Sequence, residues 1–501
     1  MRAGGSEAPL KEQKFFGSFF QKRTAFFSHQ RLIAIIVACA LFMQNLDSTV
    51  IATALPTMAH DFGVDPVHMN VALTAYLIAI AVFIPASGWM ADRFGTKRVF
   101  CIAIAVFTLG SVLCGLSPSL ATLVCARVLQ GAGGAMMLPV GRLVLLRSVP
   151  KDQLIGAMAW VTMPALIGPV IGPPVGGFIV TYLSWHWIFY INVPFGALGI
   201  VLAARFFGAG AQPDPGRFDA MGLGLAGVAL ASFMGVLELA GRGLVAPVVV
   251  WGLAGLCVAA AAAYVRRARA QAMPLLDFSL LRVPTFMVSV VAGSLFRIGV
   301  GAVPFLLPLM IQLGFGRSAA QSGMITFASA VGALGMKPIT TSVLRRWGFR
   351  TTLVANGVFC ALSLASYAAF RPGWPVAALY AALALGGVLR SLQFTAFNAV
   401  AYADVEAARM SAATTLYAML QQVSLTIGIP VSAFVLHLAR SGHAVPRPED
   451  FGVAFLVVAG VSAMAAPLCL LLRRDAGGEM SGNTASKQSF FEKKDQKTFI
   501  S

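Results

Sequence analysis

Gly168-Pro169-Val170-Ile171-Gly172-Pro173-Pro174-Val175-Gly176-Gly177 lies inside an apolar segment long enough to cross a bilayer. Gly168, Gly172 and Gly176 are four residues apart, so on a helix they share one smooth face where a neighbouring helix can come close. Pro169, Pro173 and Pro174 remove backbone donors and bend such a helix. Ordinary tight packing is the plainer reading, since Gly and Pro are common in membrane helices. Three glycines in register with interleaved prolines favour a wall that seals in one state and moves in another.

The rest of the chain has the composition of a membrane protein. Of its 501 residues 58% are apolar and only 11% are charged, with mean hydropathy +0.80; a soluble domain carries about 25% charged residues. Apolar stretches recur from Leu32 to Leu472, which reads as an all-α polytopic membrane protein. The first thirty residues are polar, basic and Phe-rich, without the apolar core and cleavage site of a signal peptide. The seven cysteines stand singly, with no C-x-x-C and no His cluster, so neither a disulfide framework nor a metal site is expected.

Apolar runs and their breakers predict fourteen spans, near 32–54, 68–91, 98–117, 119–146, 154–182, 186–206, 218–240, 245–265, 284–313, 318–343, 351–369, 375–401, 408–438 and 451–472. With both termini cytoplasmic, about 28 Lys/Arg fall inside and about 5 outside, a positive-inside bias. The inner set includes Lys22, Arg23, Arg93, Lys97, Arg98, Arg147, Lys151, Arg266, Arg267, Arg269, Arg345, Arg346, Arg350, Arg473 and Arg474; the outer set is Arg242, Arg317, Arg371, Arg440 and Arg447. The net charge of +18 is therefore mostly a topology signal. Nucleic acid is not an expected partner, because the charges are scattered over many short loops.

Ala91-Asp92-Arg93-Phe94-Gly95-Thr96-Lys97 and Leu344-Arg345-Arg346-Trp347-Gly348-Phe349-Arg350 share the pattern x-charge-Arg-aromatic-Gly-x-basic. Each follows the second span of a six-span set if the seventh and eighth spans are an inserted pair. That gives a 6+2+6 layout of two related halves, as in transporters built from repeats. The expected units are a cytoplasmic basic, Phe-rich tail (1–31), an N-terminal six-helix bundle (32–206), a linker with two inserted helices (207–283), a C-terminal six-helix bundle (284–473) and a cytoplasmic tail (474–501). The first tail, with Phe15, Phe16, Phe19 and Phe20 between Lys14 and Lys22-Arg23, reads as an amphipathic segment on the inner leaflet or as disordered; the second reads as disordered.

Five stretches carry a family resemblance that covers nearly the whole chain. Leu46-Asp47-Ser48-Thr49-Val50-Ile51-Ala52-Thr53-Ala54-Leu55-Pro56 is similar to the first-helix motif of the fourteen-helix drug:proton antiporter branch of the major facilitator superfamily. Gly88-Trp89-Met90-Ala91-Asp92-Arg93-Phe94-Gly95-Thr96-Lys97-Arg98 resembles its loop 2–3 signature, and Arg127-Val128-Leu129-Gln130-Gly131-Ala132-Gly133-Gly134 its helix 4 motif. The Gly168–Gly177 run resembles the antiporter motif of helix 5, which importers of the superfamily generally lack. Trp185-His186-Trp187-Ile188-Phe189-Tyr190-Ile191-Asn192-Val193-Pro194-Phe195-Gly196 resembles the start of helix 6, with His186 where the family usually has Arg. The resemblance implies a major-facilitator fold, Arg127 at a position linked to proton movement, and a loop of Gly88, Asp92, Arg93, Gly95, Lys97 and Arg98 that latches the inner side closed. The loop has its own logic: Gly95 permits a tight turn, and an acid among bases can pair across helix ends, although a plain positive-inside loop needs no aspartate.

Elimination picks the proton site. Arginine cannot deprotonate, and among the expected core helices Asp47 is the sole carboxylate well inside the membrane. Glu238, His186 and His437 lie near the outer side, and Lys337 can snorkel to the inner one. Intramembrane ionisable groups are functional by default, so Asp47 is the leading proton carrier; its alternative role is a structural partner for an arginine, and Arg127 could tune it. Arg127, Arg297 and Arg390 lie deep and should face a cavity or a partner. With Gln44, Asn45, Gln393, Asn398, Gln421 and Gln422, Arg297 and Arg390 are the candidate cavity lining, although each polar group alone is more often helix–helix glue.

The expected function is proton-coupled efflux of amphipathic small molecules, drugs or toxic metabolites, by alternating access across the inner membrane of a bacterium. The energy source is the proton gradient and no cofactor is expected. Expected partners are the substrate, protons and the bilayer; the short outer loops leave any link to an outer envelope to a separate periplasmic adaptor and outer-membrane channel. A facilitator or importer of a nutrient anion is the alternative within transport, and a non-transporting membrane receptor or scaffold the alternative outside it. Nothing supports an enzyme: no nucleotide-binding glycine loop, catalytic triad or metal cluster stands in the sequence.

Overall fold

The computed structural model describes residues 8–148, 154–208, 219–239, 246–271, 276–406, 409–440, 446–473 and 476, and the backbone alone at 8–31, 142, 146–148, 154–166, 169 and 411. Lys151, Arg242, Arg474 and the tail 477–501 lie outside the described residues, as do the side chains of Phe15, Phe16, Phe19, Phe20, Arg147 and Pro169.

Eighteen α-helices follow one another among the described residues. The first eight are α1 (Ala8–Phe62), α2 (Asn70–Phe83), α3 (Ala86–Phe94), α4 (Thr96–Gly115), α5 (Leu120–Ser148), α6 (Leu154–Tyr182), α7 (Trp187–Tyr190) and α8 (Asn192–Phe206). A pair, α9 (Ala220–Leu239) and α10 (Pro247–Ala270), comes next. The rest are α11 (Pro284–Gly301), α12 (Val303–Leu309), α13 (Ala319–Trp347), α14 (Phe349–Ser366), α15 (Val376–Val400), α16 (Met410–Ala439), α17 (Pro448–Ala463) and α18 (Ala465–Cys469).

Among the described residues eleven helical stretches are long and apolar enough to span a bilayer, and twelve if α2 and α3, bent by 57° where Pro85 interrupts them, count as one. Two expected spans are not in that count. In α6 the side chains of 154–166 and 169 lie outside the described residues, so only Val170–Tyr182 enters it, as a shorter apolar helix. In α13, Gln321, Ser322, Thr326, Ser329 and Lys337 dilute the hydropathy. The first helix also differs from expectation: it begins at Ala8, so the segment expected as a separate tail continues the first span as helix.

Helix α6 lies along α1 on one side and α13 on the other. Helix α4 packs on α5, α2 on α5 and α16, α13 on α15, and α11 on α16 and α17. Helices α9 and α10 pack mainly on each other, and only 17% and 11% of their span residues are buried, against 67% for Pro284–Gly314. They stand at the periphery, where α9 touches α2 and α16.

The repeat seen in the sequence has a backbone counterpart. Gly95 joins α3 to α4 with φ 87°, and Gly348 joins α13 to α14 with φ 73°. Each single-residue joint needs the left-handed region that glycine enters without a Cβ penalty.

The apolar cores are arranged asymmetrically. At the end that carries Asp65 and Arg440 one cluster runs across the molecule, with Leu55, Met58 and Ala59 of α1 in the same core as Phe305, Leu306 and Ile429. At the basic end the core is divided. Ile33, Val37, Phe100, Phe107 and Val144 form one cluster, and Val288, Phe296, Phe349, Leu353 and Phe397 form another.

Candidate functional site

Asp47 of α1 is 3% exposed, so its charge must be compensated inside the protein. Arg127 Nη1 donates to Asp47 Oδ2 over 2.6 Å. Gln130 Nε2 and Asn192 Nδ2 both donate to Asp47 Oδ1, at 2.8 and 2.9 Å. Ser111 Oγ accepts from the same two amides at 2.7 and 2.8 Å. Helices α1, α4, α5 and α8 thus meet in one buried polar network.

Local sequence explains the convergence. Arg127 and Gln130 are one turn apart on α5 and share a face. Gly131 follows them, where a Cβ would come within 2.6 Å of the Tyr76 carbonyl, and Gly110 of α4 presses equally close to Gln130 Cα. These glycines let α5 sit hard against α2 and α4. Arg127 Nε then reaches the Ala72 carbonyl at 3.2 Å, and the guanidinium lies 4.0 Å from the Tyr76 ring centre. Among the described residues Arg127 Nη2 and Asn192 Oδ1 have no hydrogen-bond partner, so the network holds spare donor and acceptor capacity.

Of these residues, sequence reading singled out Asp47 and Arg127, and the structure brings the two into contact. It passed over Gln130, Asn192, Ser111 and Tyr76. Gln130 and Asn192 stand inside quoted motifs; the available signal for Gln130 was its one-turn spacing from Arg127.

The Gly168/Gly172/Gly176 face packs on α1, beside Asp47. A Cβ at Gly168 would be 3.1 Å from the Phe42 carbonyl, one at Gly172 would run into the Thr49 side chain, and one at Gly176 would stand 2.6 Å from the Val50 carbonyl. Gly177 faces the other way, against the Ala319 carbonyl of α13, and Pro173 fills the space above Gly323. Ala320 N donates to Thr181 Oγ1 at 3.0 Å beside them. The helix of the Gly/Pro run is therefore wedged between α1 and α13.

The end with the shared core is also tied by polar contacts. Arg440 pairs with Asp65, Gln312 Nε2 donates to the Thr53 carbonyl at 3.1 Å, and Trp185 Nε1 donates to Asp61 Oδ2 at 2.6 Å. Gln312 lies in a single π-helical turn, Met310–Gly314. His186 stacks on Trp185 and lies 2.6 Å from Ser184 Oγ through Nδ1.

At the other end, Gly95 makes the expected tight turn, with Arg93 and Arg98 exposed and Asp92 and Lys97 half-buried around it. A Cβ on Gly88 would meet nothing within 4 Å. That position, on α3, has open space beside it in this conformation.

The candidate cavity residues divide. Arg297, 1% exposed, gathers Tyr417 OH at 2.6 Å, Asn398 Oδ1 at 3.1 Å and Gln421 Oε1 at 3.5 Å around its Nη2. Arg390 Nη2 donates to Ser329 Oγ and its Nε to the Gly386 carbonyl. Neither guanidinium has a carboxylate partner among the described residues. Gln393 is fully buried between helices: its Oε1 accepts from Asn356 at 2.7 Å and its Nε2 donates to the Leu353 carbonyl at 2.9 Å. It joins α15 to α14 rather than facing a cavity. Asn45 Nδ2 is turned to the Leu41 carbonyl of its own helix at 2.8 Å, Gln44 Oε1 is buried without a partner among the described residues, and Gln422 is half-buried. Lys337 Nζ donates to Thr395 Oγ1 at 3.2 Å.

With this geometry in place, comparison with known proteins is informative. The sequence pattern of the Major Facilitator Superfamily matches residues 37–429 and 289–499. The chain is 40% identical over 416 residues to a "Putative multidrug resistance protein MdtD" of Salmonella heidelberg (strain SL476), covering 81% of this chain and 87% of that protein. The protein of the same name from Escherichia fergusonii is 39% identical over 414 residues, with 81% and 86% covered. Among solved structures, a D-xylose-proton symporter matches with TM-score 0.63 at 13% identity, over 89% of this chain and 98% of that one. A peptide transporter in complex with sulfate matches with TM-score 0.65 at 14% identity, over 87% and 93%. At these identities the structures speak for the fold alone.

Proposed function

This chain belongs to the Major Facilitator Superfamily and is a membrane transporter rather than an enzyme, and we propose that it exports amphipathic small molecules in exchange for protons. The observation that carries the reading is the buried Asp47 carboxylate held by Arg127, Gln130 and Asn192. Protonation removes the charge that Arg127 compensates and takes the charge assistance from all three bonds, so it weakens the hold of α5 and α8 on α1. Asp47 shares α1 with Thr49, Val50 and Thr53, which contact the glycine face of α6, and the Thr53 carbonyl accepts from Gln312 beyond α12. A change at Asp47 is thereby felt two turns away, where the halves meet.

In this proposal the chain has fourteen spans in a 6+2+6 order. Bundles 32–206 and 284–473 rock about the substrate, the peripheral pair α9–α10 lies in the linker 207–283, and both termini are cytoplasmic in the inner membrane. The shared core at the Asp65–Arg440 end and the divided core at the basic end correspond to a state closed to the outside. The loop of Gly88, Asp92, Arg93, Gly95, Lys97 and Arg98 latches the basic end in the opposite state, and Gly88 then gains the neighbour it lacks here. Pro169, Pro173 and the four glycines of the α6 run form the moving wall. Arg297, with Asn398 and Gln421, and Arg390 face substrate. The names of the similar proteins support a drug-like cargo.

Flux in proteoliposomes under an imposed pH gradient tests the reading. Uphill movement of an amphipathic dye against an inward proton flow is expected. Dye movement in the same direction as the protons would establish an importer, and no flux with any amphiphile a receptor or scaffold.

A further inference from the structure

Helix α10 leaves most of its surface bare: of its 24 residues only Ala260 and Tyr264 are buried. Near its C-terminal end Arg267 turns to α9, where its Nε donates to Asp219 Oδ1 at 2.7 Å. Arg266 and Arg269, both exposed, stand outside that pair and have no acidic partner among the described residues. With Val258, Ala261, Ala262 and Val265 they line a shallow groove of about 760 Å³ on α10. These residues recur at steps of three and four, so they form one stripe along the helix. The alanines make its floor, being shorter than the valines beside them. Followed toward the C-terminus, the stripe is apolar for two turns and then carries two guanidinium groups about one turn apart. The N–H fork of each guanidinium matches phosphate oxygens, and the arginine stems can lie along apolar surface. A charge that only sets orientation needs no recess beside it.

We infer that this groove is a binding site for an anionic phospholipid of the surrounding bilayer. An acyl chain lies along the apolar part of the stripe, and the phosphate accepts from Arg266 and Arg269. Asp219 holds Arg267 to α9, which keeps that arginine off the lipid and fixes the face that carries the other two. A zwitterionic phospholipid brings the same phosphate, but its ammonium cancels the attraction that draws the headgroup to the arginines. The site lies on the peripheral pair, away from the Asp47 network, so its occupancy does not depend on the direction of transport.

The test is titration of the full chain in dodecyl maltoside with phosphatidylglycerol, read by native mass spectrometry as lipid bound per chain. The readout does not involve transport, so it stands or falls apart from the export reading. Arg266→Gln combined with Arg269→Gln, both at exposed positions, should lower the affinity about tenfold or more. Ala262→Phe fills the groove, keeps both arginines and should weaken binding several-fold. Arg345→Gln combined with Arg346→Gln removes an exposed basic pair in the last turn of α13 and should leave the affinity within about twofold of wild type. Phosphatidylcholine should bind several-fold more weakly, and inorganic phosphate at millimolar concentration should displace no lipid. Wild-type affinity in the Arg266/Arg269 variant or in Ala262→Phe overturns the proposal. So does an equal loss in the Arg345/Arg346 variant, which would make any basic helix end sufficient, or equal binding of phosphatidylcholine. Displacement by inorganic phosphate also overturns it and would make a free anion the occupant.

Discussion

Arg127 and Asp47 form an ion pair 2.6 Å apart in which the arginine side chain is wholly buried. Burial of both partners makes the pair asymmetric in its response to mutation, because the survivor keeps the desolvation cost without the compensation. Asp47→Ala leaves a buried guanidinium without its counter-charge and should destabilise the fold by about 3–5 kcal/mol. Asp47→Asn retains an oxygen for Arg127 and should insert and fold, yet lose proton-driven export. Gradient-dependent flux at normal expression, compared for the two variants and wild type, separates the roles. Full antiport by Asp47→Asn would remove Asp47 from the coupling step.

The glycine face gives a prediction of a different kind. Even a methyl group at Gly172 runs into Thr49, so Gly172→Leu must push α6 off α1. Flux should drop to near background, with a smaller effect on the melting temperature of one resting state. Gly255→Leu in α10 is the control, since a Cβ there meets nothing within 4 Å. If Gly172→Leu transports like the control, the α1–α6 contact does not move during the cycle.

How much of this was legible beforehand depends on the length scale. The spans follow from apolar runs, and Gly95 and Gly348 followed from a local repeat. Asp47 and Arg127 could be picked because charges inside a membrane are rare and expensive. Their partners could not. Gln130 and Asn192 are polar residues in apolar helices, and nothing in a linear pattern says whether such a residue faces a charge, a cavity or another helix. Gln393 shows the same limit from the other side: it was a fair cavity candidate, and it bonds Asn356 and the Leu353 carbonyl instead. Which faces of distant helices meet is decided by packing, with glycines such as Gly131 setting the approach. Hydropathy likewise undercounts α13, which packs against α6 along the wall.

Acid should loosen the peripheral pair. Burial pushes the Asp219 carboxyl up, but the Gly222 N–H at 2.9 Å and Arg267 at 2.7 Å outweigh it, and the acid is held below its ordinary range. A depressed carboxylate stabilises the folded state above its unfolded value of about 3.9 and stops doing so as pH falls through the folded one. The junction of α9 with α10 should therefore be constant from neutral pH to about pH 4 and weaken below it. With Arg267 partly exposed, the contribution is about 1 kcal/mol or less. Hydrogen exchange in α9 measured at pH 7 and pH 3.5 should differ in wild type, and the difference should shrink in Asp219→Asn. An equal difference in that variant would assign the acid response to another group.

The charge of the cargo is the last prediction. Arg127 is neutralised by Asp47, whereas Arg297 and Arg390 hold only neutral partners among the described residues: tyrosine, amide, serine and backbone oxygens. Two positive charges in a low-dielectric interior repel a permanent cation far more strongly than they would in water. The central cavity should therefore prefer anionic or neutral amphiphiles. Matched dyes, one anionic and one quaternary, can be set to compete for transport in the wild type. The anionic dye should compete better, and Arg297→Ala or Arg390→Ala should move the preference toward the quaternary one by several-fold. A quaternary dye that competes better from the start, with neither alanine variant increasing its advantage, would show that the two arginines serve packing alone.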